Sequence, residues 1–276
     1  MAIHWRNGIP NTVFISGGGS GIGEQFAVRM AQQGANVAIF NRKLSPQVVD
    51  KLRQQSANST QRFQDYSADV SDMAGLQIAI DKAVVEVGKP DLAINSAGIQ
   101  LAGAFEIATA ADFDQVIQVN LIGTRNFSAA LMPHLHSGSQ LVLVASLAGL
   151  VGNYGYAAYC ASKHGVIGLA KVLRIELKLQ GIDVSICCPG EVETPMVAKE
   201  RETIHPISEA LRAFAGQLQV EPACEQMLAG IAKRQFEIIP GFKPRLVGRL
   251  FRWIPGLMDK NIDSMAAAAA KQMAQH

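Results

Sequence analysis

The sequence TVFISGGGSGIG occupies residues 12–23, and a helix-compatible run begins at Glu24. Its first five residues are β-branched or apolar enough to predict a strand, and the glycines that follow leave the backbone bare. Such a turn lets main-chain N–H groups approach a pyrophosphate, whose charge the helix dipole favours. A merely flexible turn is the alternative, but strand, turn and helix occur here together. We predict a dinucleotide-binding turn formed by Ser16, Gly17, Gly19, Ser20, Gly21, Ile22 and Gly23.

Strand-like and helix-like segments alternate along the rest of the chain. Short apolar runs without a polar face predict strands at 12–16, 37–40, 92–95, 141–146 and 184–188. Helical periodicity predicts helices at 21–33, 71–87, 111–131, 156–179 and 221–234. This order predicts an α/β fold with a doubly wound, mostly parallel sheet of Rossmann type. We expect a single domain, residues 1–240, followed by a C-terminal helical extension, residues 241–276.

The composition excludes several classes of protein. Of the 276 residues, 49% are hydrophobic and 17% are charged, which is too apolar for a disordered chain. The net charge of +2 is too small to indicate a nucleic-acid partner. The N-terminus lacks the apolar core of a signal peptide, and the longest apolar stretch, 141–152, is shorter than the roughly 18 residues of a membrane span. The four cysteines lack C-x-x-C spacing, which favours a reducing cytoplasmic location. His134 and His136 have no third ligand at suitable spacing, so we expect no metal site.

The second predicted strand is followed by Asn41, Arg42 and Lys43. An NAD-binding fold usually offers an Asp or Glu here to the ribose 2′-hydroxyl. No carboxylate occurs at this place in the sequence, and Arg42 and Lys43 could instead pair with a 2′-phosphate. A solvated basic turn is the alternative. We therefore expect the cofactor to be NADP(H).

Tyr159 and Lys163 lie four residues apart in a predicted helix, so they share one face. A neighbouring ammonium group stabilises a phenolate, and we expect Lys163 to lower the pKa of Tyr159. Ser146 ends the predicted strand 141–146, and active residues of open α/β sheets gather at such carboxyl ends. The Ser146 hydroxyl could therefore bind a carbonyl oxygen that Tyr159 protonates.

Taken together, these motifs resemble the short-chain dehydrogenase/reductase family in its compact form. The family's glycine turn is matched at Gly17, Gly21 and Gly23. Its Asn-Asn-Ala-Gly motif is matched by Asn95, Ser96, Ala97 and Gly98, with Ser96 as a departure. The likeness extends from Thr12 to about Arg234. It implies a homodimer or homotetramer, because members of the family usually form one or the other.

The resemblance also implies roles for individual residues. The family's catalytic tetrad corresponds to Asn120, Ser146, Tyr159 and Lys163. Further cofactor contacts are implied for Asp69, Val70, Asn95, Ala97, Gly98, Pro189, Gly190, Val192 and Thr194. The implied reaction is hydride transfer from NADPH to a ketone, with Tyr159 as proton donor and Ser146 holding the carbonyl oxygen. Lys163 would bind the nicotinamide ribose, and Asn120 would hold a water that links Lys163 to solvent.

Residues of about 194–222 correspond to the family's mobile substrate lobe, which is rich in apolar residues here. The expected neighbours of the reacting carbonyl are Leu150, Val151, Tyr156 and Met196. We expect a hydrophobic ketone or alcohol of a long-chain, acyl or steroid-like kind. Within the family the chain is loosely similar to 3-ketosphinganine reductases and related long-chain ketone reductases. A 3-oxoacyl carrier-protein reductase and a hydroxysteroid dehydrogenase stay open.

The C-terminal extension contains a basic amphipathic pattern between Pro244 and Ile254. Its apolar members are Leu246, Val247, Leu250, Phe251 and Ile254, interspersed with three arginines. The apolar side of this helix could cover the substrate cleft or a subunit contact, or it could make a peripheral membrane contact. For the whole chain, a catalytically silent NADP(H)-sensing protein on the same fold is the alternative to an enzyme. The complete set of Asn, Ser, Tyr and Lys argues against it.

Overall fold

A seven-stranded parallel sheet lies at the centre of the molecule. The computed structural model describes residues 3–201 and 204–274. The strands are β1 (Thr12–Ser16), β2 (Asn36–Asn41), β3 (Phe63–Ser67), β4 (Leu92–Asn95), β5 (Gln140–Val144), β6 (Asp183–Cys187), β7 (Glu191–Val192), β8 (Gln217–Leu218) and β9 (Glu237–Ile238). The large sheet has the order β3-β2-β1-β4-β5-β6-β9, and β7 pairs with β8 in a small second sheet.

Helices connect the strands and cover both faces of the sheet. They are α1 (Gly21–Gln32), α2 (Pro46–Gln54), α3 (Met73–Glu86), α4 (Ala110–Ile117), α5 (Gly123–Leu131), α6 (Ala157–Lys178), α7 (Pro195–Arg201), α8 (Pro206–Ala215), α9 (Val220–Ala232), α10 (Phe242–Trp253) and α11 (Pro255–Met273). A π-helical turn, Gln118–Ile122, joins α4 to α5, and a 3-10 turn, Leu147–Gly149, follows β5. The expected doubly wound architecture is confirmed.

The core consists of two apolar layers, one on each face of the sheet. Successive side chains of a strand point to opposite faces, so Val13 and Ile15 join one layer while Phe14 joins the other. All three side chains are fully buried. Because helices cover both faces, the strands need no polar side, which explains their continuous apolar runs.

Strand β1 lies between β2 and β4, and the chain leaves it in opposite directions on its two sides. In an open parallel sheet this change of direction opens a crevice at the carboxyl ends of the strands. The register pairs Ser16 with Phe40 on one side and with Asn95 on the other. The ends of β1, β2 and β4 therefore meet beside the glycine turn.

The structure differs from the sequence-based expectation at several elements. Strand β3 was not expected, because it is an edge strand whose buried Phe63 and Tyr66 are separated by polar residues. Helix α2 was not expected either. The single helix expected at 111–131 is interrupted by the π-helical turn. Strand β5 ends at Val144, so Ser146 is the residue that precedes the 3-10 turn, not the last residue of a strand.

The C-terminal residues form two helices that pack onto the rest of the chain. Helix α10 begins at Phe242, two residues before the expected start, and α11 packs against α8. A small apolar cluster is shared by Ile207, Leu211 and Ala269. Residues 202–203 of the expected substrate lobe and residues 275–276 of the extension lie outside the described residues. Among the helices of residues 3–201 and 204–274, none is long and apolar enough to cross a membrane.

Candidate active site

The turn between β1 and α1 is folded too tightly for side chains. Gly17 has φ +68°, and a Cβ atom on it would lie 2.7 Å from the backbone nitrogen of Ala97. A Cβ atom on Gly23 would lie 2.1 Å from the carbonyl oxygen of Gly17. These contacts hold the turn against the segment after β4 and leave its backbone facing the crevice.

Two buried side chains join the ends of β1 and β4. The Ser16 hydroxyl donates a hydrogen bond to Oδ1 of Asn95, and Nδ2 of Asn95 donates to Oγ1 of Thr124 at 2.6 Å. Ser16 and Asn95 are almost completely buried. Both were expected to contact the cofactor, but their side-chain bonds are made within the protein. Their side chains therefore fix the geometry of the turn.

Helix α6 brings Tyr159 and Lys163 to the carboxyl end of β5. Tyr159 lies in the first turn of the helix and is hydrogen-bonded to Ser146. Lys163 follows one turn later, and its Nζ donates to the Val144 carbonyl at 3.0 Å. The same nitrogen lies 5.6 Å from the centre of the Tyr159 ring. The expected convergence of Ser146, Tyr159 and Lys163 is thus present.

Burial shifts the two titratable groups in opposite directions. It raises the pKa of Tyr159 to about 12, although the hydrogen bond with Ser146 acts to lower it. It lowers the pKa of Lys163 to about 8. The expectation that Lys163 lowers the pKa of Tyr159 is therefore wrong for the chain by itself. Loss of hydration is the largest cause of both shifts, and it favours the neutral form of each group.

Asn120 lies in the π-helical turn and is fully buried. Its Oδ1 accepts from the backbone N–H of Ile99 at 2.8 Å, and its Nδ2 donates to the Ile99 carbonyl at 2.9 Å and to the Ser162 hydroxyl at 3.1 Å. A Cβ atom on Gly98 would lie 3.2 Å from Asn120 Oδ1 and 3.5 Å from Lys163 Nζ. Asn120 and Lys163 therefore both border Gly98, whose missing side chain leaves space between them.

The end of β2 lies beside the glycine turn, as expected. Oδ1 of Asn41 accepts from the backbone N–H of Gly19 at 2.9 Å, and Arg42 and Lys43 are exposed. Asn41 Nδ2 donates to Asp65 of β3 at 3.0 Å. The sequence spacing missed this carboxylate, because it reaches the site from the neighbouring strand. Burial raises the pKa of Asp65, against the hydrogen bonds from Ser45 and Asn41.

Asp69 and Val70, for which cofactor contacts are expected, follow β3. The Asp69 carboxylate accepts a hydrogen bond from the Ser71 hydroxyl at 2.6 Å. Val70 is buried, and its carbonyl accepts from Asn126 Nδ2 at 2.9 Å. Neither residue lines the cavity that contains the glycine turn and Tyr159.

A cavity of about 280 Å³ extends from the glycine turn past Tyr159 to the C-terminal helices. Most of the expected site residues line it, namely Gly17, Ser20, Gly21, Ile22, Ala97, Gly98, Ser146, Val151, Tyr156, Tyr159, Lys163, Pro189, Gly190, Val192, Thr194 and Met196. Leu150, which is expected near the reacting carbonyl, does not line this cavity. The 3-10 turn before it directs its side chain into the core, where it packs close to Gly248.

An ionic cluster at the edge of the cavity was not expected from the sequence. Arg212 of α8 lies 2.6 Å from Glu191 and 3.2 Å from Glu200, and its Nη1 donates to the Tyr156 hydroxyl at 3.2 Å. The Tyr156 hydroxyl itself donates to Glu200. Burial acts to raise the pKa of Glu191, but Arg212 and Arg201 hold it below its usual value. These residues are far apart in the sequence and meet only in the folded chain, so no local sequence pattern predicts the cluster.

Burial raises the pKa of Glu200 even though Arg212 opposes the shift. Glu191 and Glu200 share the guanidinium of Arg212, which compensates the charge of Glu191 more fully than that of Glu200. The cavity therefore has a charged margin in addition to the polar side chains around Tyr159. Its apolar lining includes Val151, Met196, Leu211, Phe214, Val247, Phe251 and Ile262.

The sequence of this chain is similar to a known protein family and to individual proteins. Residues 11–205 match a family model described as short chain dehydrogenase. The chain is 32% identical over 196 residues to the 3-ketodihydrosphingosine reductase of Bos taurus, which covers 69% of this chain and 59% of that protein. The chain therefore spans less than two thirds of that relative's length.

Two solved structures show the same fold. A short chain dehydrogenase from Mycobacterium paratuberculosis bound to NAD has a TM-score of 0.74 and 26% identity, covering 85% of this chain and 98% of that one. A short chain dehydrogenase from Burkholderia cenocepacia J2315 in complex with NADP has a TM-score of 0.73 and 27% identity, covering 83% and 95%. The cofactors of these two proteins differ.

Substitution of Gly23 by Ala tests the glycine turn. Because the added Cβ atom would lie 2.1 Å from the Gly17 carbonyl oxygen, the turn must open. We expect the free energy of unfolding to fall by about 2 kcal/mol and dinucleotide affinity to fall at least about tenfold, measured by urea denaturation and by NADPH fluorescence titration. Gly256→Ala is the control, since nothing lies within 4 Å of its Cβ position. Wild-type affinity in Gly23→Ala would contradict the account.

Substitution of Lys163 by Met tests the cost of burying its charge. The pKa of Lys163 falls from 10.5 to about 8 on folding, so the unfolded chain binds more protons between these values and the stability of the wild type rises with pH there. Relative to Lys163→Met, we expect the wild type to gain about 2 kcal/mol of unfolding free energy between pH 7 and pH 10. Urea denaturation at the two pH values measures this change. Lys178→Met, at an exposed position, should show no such change, and a pH-independent difference for Lys163→Met would refute the assignment.

Proposed function

We propose that this chain, which belongs to the short-chain dehydrogenase/reductase family, is an NADP(H)-dependent oxidoreductase that interconverts a hydrophobic ketone and its secondary alcohol. The observation that carries the proposal is the placement of Tyr159, hydrogen-bonded to Ser146 and one helical turn from the buried Lys163, in one cavity with the glycine turn. A proton donor, a group that can bind a carbonyl oxygen and a phosphate-binding backbone are the parts that carbonyl reduction requires.

The residues of the cavity fit a nicotinamide dinucleotide. Gly17 and Gly21 present bare backbone at the start of α1, where N–H groups and the helix dipole favour a pyrophosphate. Thr194 approaches the turn closely, since a Cβ atom on Gly21 would lie 3.3 Å from its Cγ2. We assign the nicotinamide end to the segment that contains Pro189, Gly190, Val192 and Thr194. When bound, the cofactor supplies the hydride.

The protein's own residues would handle the carbonyl oxygen and the proton. Ser146 would orient the oxygen by a hydrogen bond. The pKa of Tyr159, about 12, keeps its phenol protonated at neutral pH, so the residue is ready to donate a proton to a developing alkoxide. Once that proton has left, the Lys163 ammonium would stabilise the phenolate. Asn120 would hold a water near Lys163, a role supported by their shared border at Gly98.

The preference for NADP(H) is supported by the end of β2. Arg42 and Lys43 are exposed at the end of β2, beside the glycine turn, where they can pair with a 2′-phosphate. Asn41 cannot act as the carboxylate that an NAD-binding fold usually supplies. The Burkholderia cenocepacia structure, in complex with NADP, provides a precedent within the fold.

The substrate is proposed to be a hydrophobic ketone or alcohol, long-chain, acyl or steroid-like. The support is the apolar lining of the cavity, to which residues of the lobe 194–222 and of the C-terminal helices contribute. The bovine relative is named a 3-ketodihydrosphingosine reductase, which favours a long-chain ketone. We also propose that the catalytic domain comprises residues 1–240 and that 241–276 form an extension to it.

We also propose that the chain forms a homodimer or a homotetramer. Val172 and Ile175 of helix α6 and Leu179, which follows the helix, are more than half exposed, and an apolar stripe of this kind suits a contact with a second copy. A reducing cytoplasmic location is supported by the four free cysteines.

Substitution of Tyr159 by Phe tests the proton donor. The change removes only the hydroxyl, so we expect turnover of a long-chain ketone to fall about 1,000-fold while NADPH affinity stays within about threefold. Stopped-flow absorbance of NADPH and fluorescence titration measure the two quantities. Tyr154→Phe, outside the cavity lining, should keep wild-type turnover. Turnover in Tyr159→Phe within tenfold of wild type would reject the role of Tyr159.

Substitution of Arg42 by Asp tests the cofactor preference. A carboxylate at this place would repel a 2′-phosphate and accept a hydrogen bond from a 2′-hydroxyl. We expect the ratio of kcat/KM for NADPH to that for NADH to fall at least about 100-fold, with Lys89→Asp, an exposed charge reversal remote from the turn, as the control. An unchanged ratio in Arg42→Asp would remove the argument for NADP(H).

A further inference from the structure

We propose that the outer face of helix α10 binds an anionic lipid surface, while its inner face forms a wall of the substrate cavity. The outer face is formed by Phe242, Leu246, Arg249 and Trp253. These positions are separated by four, three and four residues, so they lie along one side of the helix.

The outer face exposes large apolar side chains that the core does not use. Phe242 is 79% exposed, Leu246 45% and Trp253 74%. Ile254 and Leu257 continue the surface onto the start of α11, and both are exposed. Single exposed apolar residues are ordinary on a protein surface, but a contiguous group indicates a contact with a partner or a membrane.

The charge of this segment favours an anionic partner. Between residues 239 and 258 the sequence contains Lys243, Arg245, Arg249 and Arg252 and no Asp or Glu. Arg252 is paired with Glu237 and Arg245 donates to the Ile239 carbonyl, and all four basic residues are exposed. Aromatic side chains suit the headgroup region of a bilayer, and basic residues beside them attract acidic lipids.

The same charges disfavour a second copy as the occupant of this face. In a two-fold symmetric contact the same surface meets itself, so the basic side chains of one copy would face those of the other. The apolar stripe of Val172, Ile175 and Leu179 is flanked by the exposed Glu176 as well as by basic residues, so two copies can pair opposite charges there. A lipid surface is therefore the occupant that the outer face fits.

The inner face of α10 is fixed to the body of the protein. Val247 is buried and borders the substrate cavity together with Phe251. A Cβ atom on Gly190 would lie 3.0 Å from Cγ of Pro244, so the helix is packed tightly against the segment after β6. Helix α10 is thus apolar on both sides, contrary to the single apolar side expected from the sequence. If the proposed function holds, a substrate dissolved in the membrane reaches a cavity whose wall already rests on the lipid.

The test uses vesicle binding by the full chain without cofactor or ketone, so it is independent of the proposed reaction. The probes are vesicles of phosphatidylcholine alone and vesicles that also contain phosphatidylglycerol. We expect co-sedimentation with the anionic vesicles, little with the neutral ones, and release at high salt. The chain has two tryptophans, and Trp5 is buried. In a Trp5→Phe variant the emission of Trp253 should shift to the blue with anionic vesicles.

A paired set of variants locates the binding surface. Phe242→Ser/Leu246→Ser and, separately, Lys243→Glu/Arg249→Glu should each weaken binding to anionic vesicles at least about tenfold. The control is Ile78→Ser/Val85→Ser on α3, which removes two exposed apolar side chains elsewhere and should leave binding unchanged. The proposal is overturned if the wild-type chain does not bind anionic vesicles, or if both α10 variants bind these vesicles as strongly as the wild type does. A dimer lost in the α10 variants, without vesicle binding by the wild type, would assign the face to self-association instead. Absence of ketone reduction would reject the proposed function and leave the vesicle result intact.

Discussion

Two titratable side chains, the half-buried Tyr159 and the buried Lys163, lie one helical turn apart, and the proposed chemistry depends on their loss of hydration. Desolvation favours the neutral form of each group, so it raises one pKa and lowers the other. The phenol therefore keeps its proton at neutral pH, and the amine remains close enough to stabilise the charge that a proton transfer would leave behind. An exposed pair at the same spacing would titrate near the ordinary values and lack this coupling.

The parallel sheet supplies the frame that makes this burial possible. Its strands end along one edge, where the Val144 carbonyl of β5 holds the Lys163 ammonium and the Ser16–Asn95 hydrogen bond joins β1 to β4. The bare glycine turn can approach this edge because Gly17 and Gly23 carry no side chains. Helix α10 then closes the far side of the cavity. The glycine turn, the proposed proton donor and an apolar wall thus meet in one crevice.

Sequence reasoning worked where a local pattern encodes the structure. The strand, turn and helix of residues 12–33 and the Tyr159–Lys163 spacing are of this kind, and so are the buried strands of the sheet. It failed where tertiary context decides. The edge strand β3 lacks a continuous apolar run because only part of it is buried, and Asp65 reaches Asn41 only through the pairing of β3 with β2. The Glu191, Glu200 and Arg212 cluster joins separate elements, and the pKa of Tyr159 depends on a degree of burial that spacing cannot report.

The central claim is that loss of hydration keeps Tyr159 protonated in the cofactor-free protein, so that it is a proton donor. Carbon-13 NMR of protein labelled at the tyrosine ring carbon that bears the hydroxyl measures this directly, with the Tyr159 signal assigned by its loss in Tyr159→Phe. The account predicts that Tyr159 stays protonated up to about pH 10 in the cofactor-free protein and that bound NADP⁺, which adds a positive charge nearby, lowers its pKa. Titration of Tyr159 near the value of an exposed tyrosine, with no response to NADP⁺, would contradict it.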